Sequence, residues 1–383
     1  MRQEKIELII LGSTGSVGVQ TLNVVRAFPD VFNVVALSTH RNVELLSKQI
    51  AEFRPIYIAV TDEEYSLSIS ARSDVISWSG KHSLEKLCSF DHGDIVVNAL
   101  VGMAGIRPTL FALSRGKDVA LANKETIVSA GALVMESAKK HKAKIIPIDS
   151  EHSAIYQCIQ GEHSRTIQRI ILTGSGGPFR NASYEEIRSA TVEQALAHPT
   201  WNMGAKISVD SATMMNKGFE IIEAMHLFGV PPSKVDVVIH PQSIIHSLVE
   251  FVDHATIAQL GYPDMRVPIQ YAICQGERHS NTCVPLDLAK IGMLTFEPPN
   301  MTKFPCLRLA REAAEKGGTY PAALNAANDY LVAKFLNREI PVTSIAKGVE
   351  WILSTHDPVM NYTLDDIDGI CEWVPRMIDR MAF

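Results

Sequence analysis

At 383 residues, 46% apolar and 20% charged, the chain has the composition of a folded globular protein with room for two or three domains, which excludes a disordered or fibrous chain. The net charge of −6 is spread along the sequence, with no basic run to neutralise a nucleic-acid backbone and no apolar run long enough to cross a bilayer, so neither a nucleic acid nor a membrane is expected as a partner. Residues 1–7 lead into an apolar stretch without a signal-peptide pattern, and the six cysteines are scattered without Cys-x-x-Cys pairs; both fit reduced thiols and a cytoplasmic location.

The first third alternates strand and helix. Ile6–Leu11 reads as a buried strand, Gly12-Ser13-Thr14-Gly15-Ser16-Val17-Gly18 as a glycine loop, and Val17–Phe28 as a helix that stops before Pro29. Further strands are expected at Phe32–Leu37, Tyr57–Val60, Ile95–Ala99, Val119–Ala122 and Ile145–Ile148, with helices at Val43–Phe53, Pro108–Arg115 and Ile127–His141. This alternation predicts an α/β fold: a Rossmann-like parallel-sheet domain over residues 1–149. From about residue 150 the pattern changes. Ile170–Thr173 leads into Gly174-Ser175-Gly176-Gly177-Pro178, and a polar stretch with an isolated Trp201 continues to Gly204, which predicts a flexible loop over about 175–205 able to cover a ligand. Strand-like runs at Val235–His240 and Ser247–Asp253 mark a second, α+β domain over 150–284, the catalytic one by the resemblance given below. Residues 285–305, punctuated by Pro298, Pro299 and Pro305, read as a linker, and 306–383 as a C-terminal domain of short helices.

Several groups carry chemistry. The glycine loop between the first strand and helix offers backbone N–H groups and a helix dipole to a pyrophosphate. Past the second strand, where an NAD enzyme places an acid on the ribose, the chain has Ser38-Thr39-His40-Arg41-Asn42; a cation without an acid predicts NADPH over NADH. The loop at Ser175 is a second place for an anion. In an extended segment residues two apart share a face, so Asp149 and Glu151 are expected to present two carboxylates together. If the run from Ser211 to Glu220 is helical, Asn216, Lys217 and Glu220 share one face. Taken singly, Asp-x-Glu is an ordinary solvated strand end, Asn-Lys-x-x-Glu an ordinary exposed charge pair, and Arg41 an ordinary loop arginine. Together they predict a metal, a phosphate and a nucleotide, and oxygen-only ligands favour Mg²⁺ or Mn²⁺.

Seven motifs in register, Gly12–Gly18, Leu121-Ala122-Asn123-Lys124-Glu125, Asp149-Ser150-Glu151-His152, Leu172–Arg180, His198–Gly204, Ser211–Glu220 and His240–His246, resemble 1-deoxy-D-xylulose 5-phosphate reductoisomerase along essentially the whole chain. The resemblance implies an N-terminal NADPH domain, a catalytic domain with a flexible loop, a C-terminal helical domain and a homodimer. It implies a divalent cation on Asp149, Glu151 and Glu220. The phosphate of a small sugar-phosphate substrate would lie among Ser175, His198, Ser211, Asn216 and Lys217, with Lys124, Ser150 and Glu151 near the sugar hydroxyls and Trp201 over the carbon chain. Lys124 and Glu151 are then the candidates for proton transfer. NADPH would contact Thr14, Gly15, Ser16 and Val17, then His40, Arg41 and Asn42, then Asn123, Glu125 and Gly204; His40 stands where the family often has glycine. Two rivals are set against this reading. A semialdehyde or homoserine dehydrogenase would need a nucleophilic cysteine or another acid–base pair, and an NADPH-sensing regulator would have no use for the carboxylates and lysines.

Overall fold

A computed structural model describes residues 5–66, 75–201 and 203–381. The chain divides into two compact units: residues 1–126, 132–153 and 264–283 form the first, and 127–131, 154–263 and 284–383 the second.

The first unit is built on seven strands, β1 Ile6–Leu11, β2 Phe32–Thr39, β3 Tyr57–Val60, β4 Ile76–Ser79, β5 Ile95–Asn98, β6 Asp118–Leu121 and β7 Ile145–Pro147. They pair in the order β4-β3-β2-β1-β5-β6-β7, every pair parallel. A parallel sheet covered on both faces needs continuous apolar strands, and Leu8, Ile9, Ile10, Leu11, Val96 and Val97 are fully buried. The order reverses between β1 and β5, the position at which doubly wound sheets open a crevice beyond the carboxyl ends of the strands. The strands and helices expected in this third are present to within a few residues, among them helices Ser16–Ala27, Val43–Phe53, Ile106–Ser114 and Lys124–His141. The edge strand β4 escapes sequence reading because its four residues, Ile76-Ser77-Trp78-Ser79, are largely exposed and form no apolar run. Helix Arg266–Ile273 returns to this unit and packs on Ser16–Ala27, β6 and β7.

The second unit has a mixed sheet, β8 Ile167–Gly174, β9 Val235–Ile239, β10 Ile245–Phe251 and β11 Thr256–Leu260, in the order β11-β10-β8-β9. Strands β8 and β9 run parallel and the other pairs antiparallel. The C-terminal helices, Pro305–Lys316, Tyr320–Leu336, Thr343–Thr355 and Leu364–Ile378, are longer than the short helices expected. Their sequence is alanine-rich, and Tyr320–Leu336 buries residues around much of its circumference, which blurs the amphipathic period used to read helix length. Helix Pro305–Lys316 approaches helix Met215–Phe228 closely at Gly218, where an added Cβ would lie 2.4 Å from the Ala310 Cβ. No described helix is long and apolar enough to cross a membrane.

Candidate active site

In the first unit the glycine loop sits at the switch point. Gly12 has φ +79°, and a Cβ there would come within 2.7 Å of the Ala99 carbonyl oxygen beyond β5. A Cβ on Gly18 would lie 2.3 Å from the Gly12 oxygen, so the loop folds back on the first turn of its own helix. Gly15 is the N-cap of helix Ser16–Ala27 and no side chain caps it, which leaves the first-turn N–H groups of Ser16 and Val17 open to an anion. Thr14 Oγ1 shares a 2.6 Å hydrogen bond with Thr39 Oγ1, and Gly12 N donates to Ser38 Oγ at 2.9 Å, tying the loop to the end of β2. A cradle that only glycine fits, next to an uncapped helix start, suits the diphosphate of a dinucleotide.

One sequence expectation needs correction here: an acid does stand near Arg41. Asp62, just beyond β3, accepts from Arg41 Nε at 2.7 Å. Strands β2 and β3 are parallel neighbours with Thr39 opposite Val60, so the residues that follow both strands lie side by side. The ion pair holds the Asp62 carboxyl below its ordinary range. His40 Nδ1 lies 2.8 Å from Thr61 Oγ1, and Asn42 caps helix Val43–Phe53 by accepting from Leu45 N.

A second correction concerns Asp149 and Glu151, which are not on an extended strand. β7 stops at Pro147 and helix Ser150–Cys158 begins directly after it. The Asp149 carbonyl accepts from Ser153 N at 2.8 Å, and its Oδ1 accepts from Glu151 N at 3.2 Å, so Asp149 opens the helix in the manner of an N-cap acid. Buried Lys124 donates to Asp149 Oδ2 at 3.0 Å, and the ring of fully buried His152 approaches Oδ1 at 3.1 Å. Ser150 Oγ donates to Glu151 Oε2. Sequence reasoning gave His152 no role, although Asp-x-x-His at a helix start was a readable signal for a ring that fixes the carboxylate. Asn123 accepts from Thr126 N at 3.0 Å as the cap of helix Lys124–His141 and donates to Leu100 O, Gly102 O and Glu125 Oε2.

The second unit gathers the residues expected around a phosphate. Gly176 and Gly177 take positive φ beyond β8, and Gly177 N donates to Ser175 Oγ at 3.1 Å. A Cβ on Gly177 would lie 2.5 Å from the Ser211 oxygen, and one on Gly174 would lie 3.1 Å from Lys217 Cε, so the loop is seated against both. Helix Ala205–Ala212 ends before Met214, whose φ of +60° starts the new helix Met215–Phe228. On that helix Asn216 and Lys217 share a face with Glu220, as expected: Asn216 Nδ2 donates to Oε1 at 2.6 Å and Lys217 Nζ to Oε2 at 2.5 Å. Glu220 is 0% exposed and Lys217 7%. A buried carboxylate is tolerated only when it is paired or ligated.

His198 Nδ1 accepts from Thr200 N and from Trp201 N at 2.9 Å, which leaves Nε2 to carry the proton and donate to Ser175 Oγ at 2.9 Å. Burial, reinforced by the charge of Lys217, pushes the His198 pKa down. The Trp201 ring is 6.3 Å from that of His246. The stretch expected to be a flexible loop contains two short helices, Tyr184–Arg188 and Val192–Leu196, each opened by a capping box, Ser183 with Glu186 and Thr191 with Gln194. Asn202 lies outside the described residues. Gly204 precedes helix Ala205–Ala212 with open space where a Cβ would point.

The Asp149 and Glu220 carboxylates are oxygen donors, the first held by Lys124 and the second by Lys217 and Asn216, and oxygen donors suit a hard divalent ion. Burial pushes the thiols of Cys88 and Cys306 up to about 12, those of Cys158, Cys274 and Cys371 to about 11, and that of Cys283 upward as well, the opposite of the lowered pKa that activates a nucleophilic cysteine. The switch-point glycine loop and the oxygen donor sets define the class: a dinucleotide-dependent α/β enzyme.

Comparison with known proteins narrows it. Models of 1-deoxy-D-xylulose 5-phosphate reductoisomerase match residues 8–131, 145–228, as its C-terminal domain, and 260–377, as the DXP reductoisomerase C-terminal domain. The reductoisomerase of Pelodictyon phaeoclathratiforme is 50% identical over 97% of this chain and 98% of its own, and that of Chlorobaculum tepidum 50% identical over 96% and 97%. A solved reductoisomerase in complex with NADPH, fosmidomycin and magnesium is 42% identical, with a TM-score of 0.93 and 98% of each chain covered. The Zymomonas mobilis enzyme in complex with NADPH is 38% identical, with a TM-score of 0.91 over 98% of this chain and 99% of its own. The chain belongs to the 1-deoxy-D-xylulose 5-phosphate reductoisomerase family.

Proposed function

We propose that this protein converts 1-deoxy-D-xylulose 5-phosphate to 2-C-methyl-D-erythritol 4-phosphate for isoprenoid precursor synthesis, by retro-aldol and aldol steps followed by reduction. The observation that carries it is the buried Glu220 braced by Lys217 and Asn216 beside the Ser175 loop, in a chain 50% identical to reductoisomerases over nearly its full length. Ser175, His198, Ser211, Asn216 and Lys217 hold the phosphate, so binding energy at the non-reacting end orients the reacting carbons. Asp149, Glu151 and Glu220 are the proposed ligands of Mg²⁺ or Mn²⁺. That ion, when bound, is a Lewis acid for the substrate oxygens. Lys124 and Glu151 move the proton, Ser150 and Glu220 also meet substrate, and Trp201 excludes water over the carbon chain.

Thr14 through Val17, His40 through Asn42, Asn123, Glu125 and Gly204 receive NADPH, which supplies the hydride. The same reading takes residues 1–149 as the NADPH domain, 150–284 as the catalytic domain, 285–305 as a linker and 306–383 as the C-terminal domain. It also takes the protein to be a cytoplasmic homodimer with a small sugar phosphate, not a nucleic acid, as its partner; light scattering tests the dimer. The activity is tested by incubating the protein with 1-deoxy-D-xylulose 5-phosphate, NADPH and Mg²⁺ and identifying the product by NMR. Formation of 2-C-methyl-D-erythritol 4-phosphate supports the reading, and unreacted substrate at high enzyme concentration contradicts it.

A further inference from the structure

The Arg41–Asp62 pair is asymmetric. The Arg41 side chain is 62% exposed, whereas that of Asp62 is 14% exposed and is fixed independently of the arginine, its Oδ1 accepting from Glu64 N at 3.1 Å. Among the described residues Asp62 accepts from Arg41 Nε and the Tyr65 ring lies 5.7 Å from Cζ, an arrangement that leaves the edge bearing the terminal nitrogens to an oxyanion. The bonds from Thr14 to Thr39 and from Gly12 to Ser38 keep the end of β2 beside the glycine loop, and Asp62 N reaches His40 O at 3.4 Å, so the two strand ends travel together. An acid at this end of the sheet is the feature with which NAD enzymes take the ribose 2′-hydroxyl. Here it comes from β3 and is covered by an arginine.

We propose that Asp62 is a specificity-determining residue, a fixed anion that makes binding of a nucleotide 2′-phosphate conditional on Arg41. With Arg41 in place the pair is neutral and the guanidinium meets the phosphate. Without it, the carboxylate repels a 2′-phosphate and accepts the 2′-hydroxyl of the unphosphorylated cofactor, so discrimination is achieved partly by repulsion. This inference rests on the NADPH reading above. The competing role for Asp62 is that of a strut that merely aims Arg41, and the two roles separate when the arginine is gone.

The test is calorimetric titration of the full chain with NADPH and with NADH, without sugar substrate, for the wild type, Arg41→Ala, Asp62→Asn and the double variant. Asparagine retains an acceptor for Glu64 N, and circular dichroism confirms folding. Arg41→Ala is expected to weaken NADPH by about 30-fold or more and to shift the NADPH-to-NADH preference toward NADH. Adding Asp62→Asn to it is expected to recover about 3- to 10-fold of the NADPH affinity, because an anion facing the phosphate has been removed. A double variant that binds NADPH no better than Arg41→Ala makes Asp62 a strut and overturns this proposal while leaving the NADPH reading standing. Failure of the wild type to bind NADPH overturns that reading itself, and an unchanged preference in Arg41→Ala overturns this proposal together with the role given to Arg41.

Discussion

Lys217 and Glu220 stand one turn apart on helix Met215–Phe228, and their charged ends meet at 2.5 Å with both side chains nearly excluded from water. The spacing i to i+3 puts them on one face, and Asn216 closes the other carboxylate oxygen from i−4. The Glu220 carboxylate is thus held by two donors, an amide on one oxygen and an ammonium on the other. Removing either partner takes a buried counter-charge from the other.

Lys217→Ala is therefore expected to weaken inhibition by a phosphonate-linked hydroxamate such as fosmidomycin by about 2–5 kcal/mol, because the phosphonate loses its desolvated counter-charge. Inhibitor titrations against the variant check this. Unchanged inhibition would remove Lys217 from the anion site.

Glu220→Gln is isosteric, but it removes a charge and replaces one of the two oxygens that accept from Asn216 and Lys217 with an N–H donor. Turnover at limiting Mg²⁺ or Mn²⁺ is expected to collapse while NADPH affinity is retained, and Asp149→Asn is expected to act in the same way. Steady-state rates over a metal titration, with NADPH binding measured in parallel, separate a lost ligand from a lost fold. Wild-type metal dependence in either variant would contradict the assignment.

Gly18→Ala places a methyl 2.3 Å from the Gly12 oxygen and 2.6 Å from Ser13 Cα, both backbone atoms that cannot swing away. The glycine loop must shift to relieve this, costing roughly 1–3 kcal/mol of stability. NADPH affinity, measured by fluorescence titration, is expected to fall with it, whereas Gly204→Ala meets open space and leaves stability nearly unchanged.

The parallel sheet was legible because Ile6–Leu11 and its companions are continuous apolar runs separated by helical periods, a pattern that needs no tertiary information. The grouping of Asn216 and Lys217 with Glu220 was legible for the same reason, since helical spacing alone fixes the face. Two expectations failed for identifiable reasons. Asp149 and Glu151 follow an apolar run, so alternation suggested a strand, but an aspartate followed by serine and glutamate is also a helix opening, and the first-turn geometry won. Arg41 looked unopposed because its acid, Asp62, lies 21 residues away and is delivered by strand register, which no local pattern reports. The edge strands β4 and β11 were missed because exposed strands carry little hydrophobic signal.

His226 gives the second unit an acid-sensitive point. Its ring lies against Gly131, where a Cβ would be 2.3 Å away, and burial pushes its pKa down from 6.5 to about 4. The unfolded chain takes up the proton first as pH falls, so the stabilisation is complete above pH 6.5 and is lost between 6.5 and about 4. The shift corresponds to about 3 kcal/mol over that window. Denaturant unfolding across this range is expected to show a shallower acid limb in His226→Phe, which cannot titrate, than in the wild type; identical limbs would remove His226 as the cause.

NADPH oxidation by this chain is expected to require both a sugar phosphate and a divalent cation. Following loss of the reduced-nicotinamide absorbance with 1-deoxy-D-xylulose 5-phosphate, before and after chelation and then on adding back Mg²⁺ or Mn²⁺, tests it most directly. Oxidation is expected to stop on chelation, to return with the metal and to be absent without the sugar phosphate. Oxidation that persists after complete metal removal, or that never begins with this substrate, would contradict it.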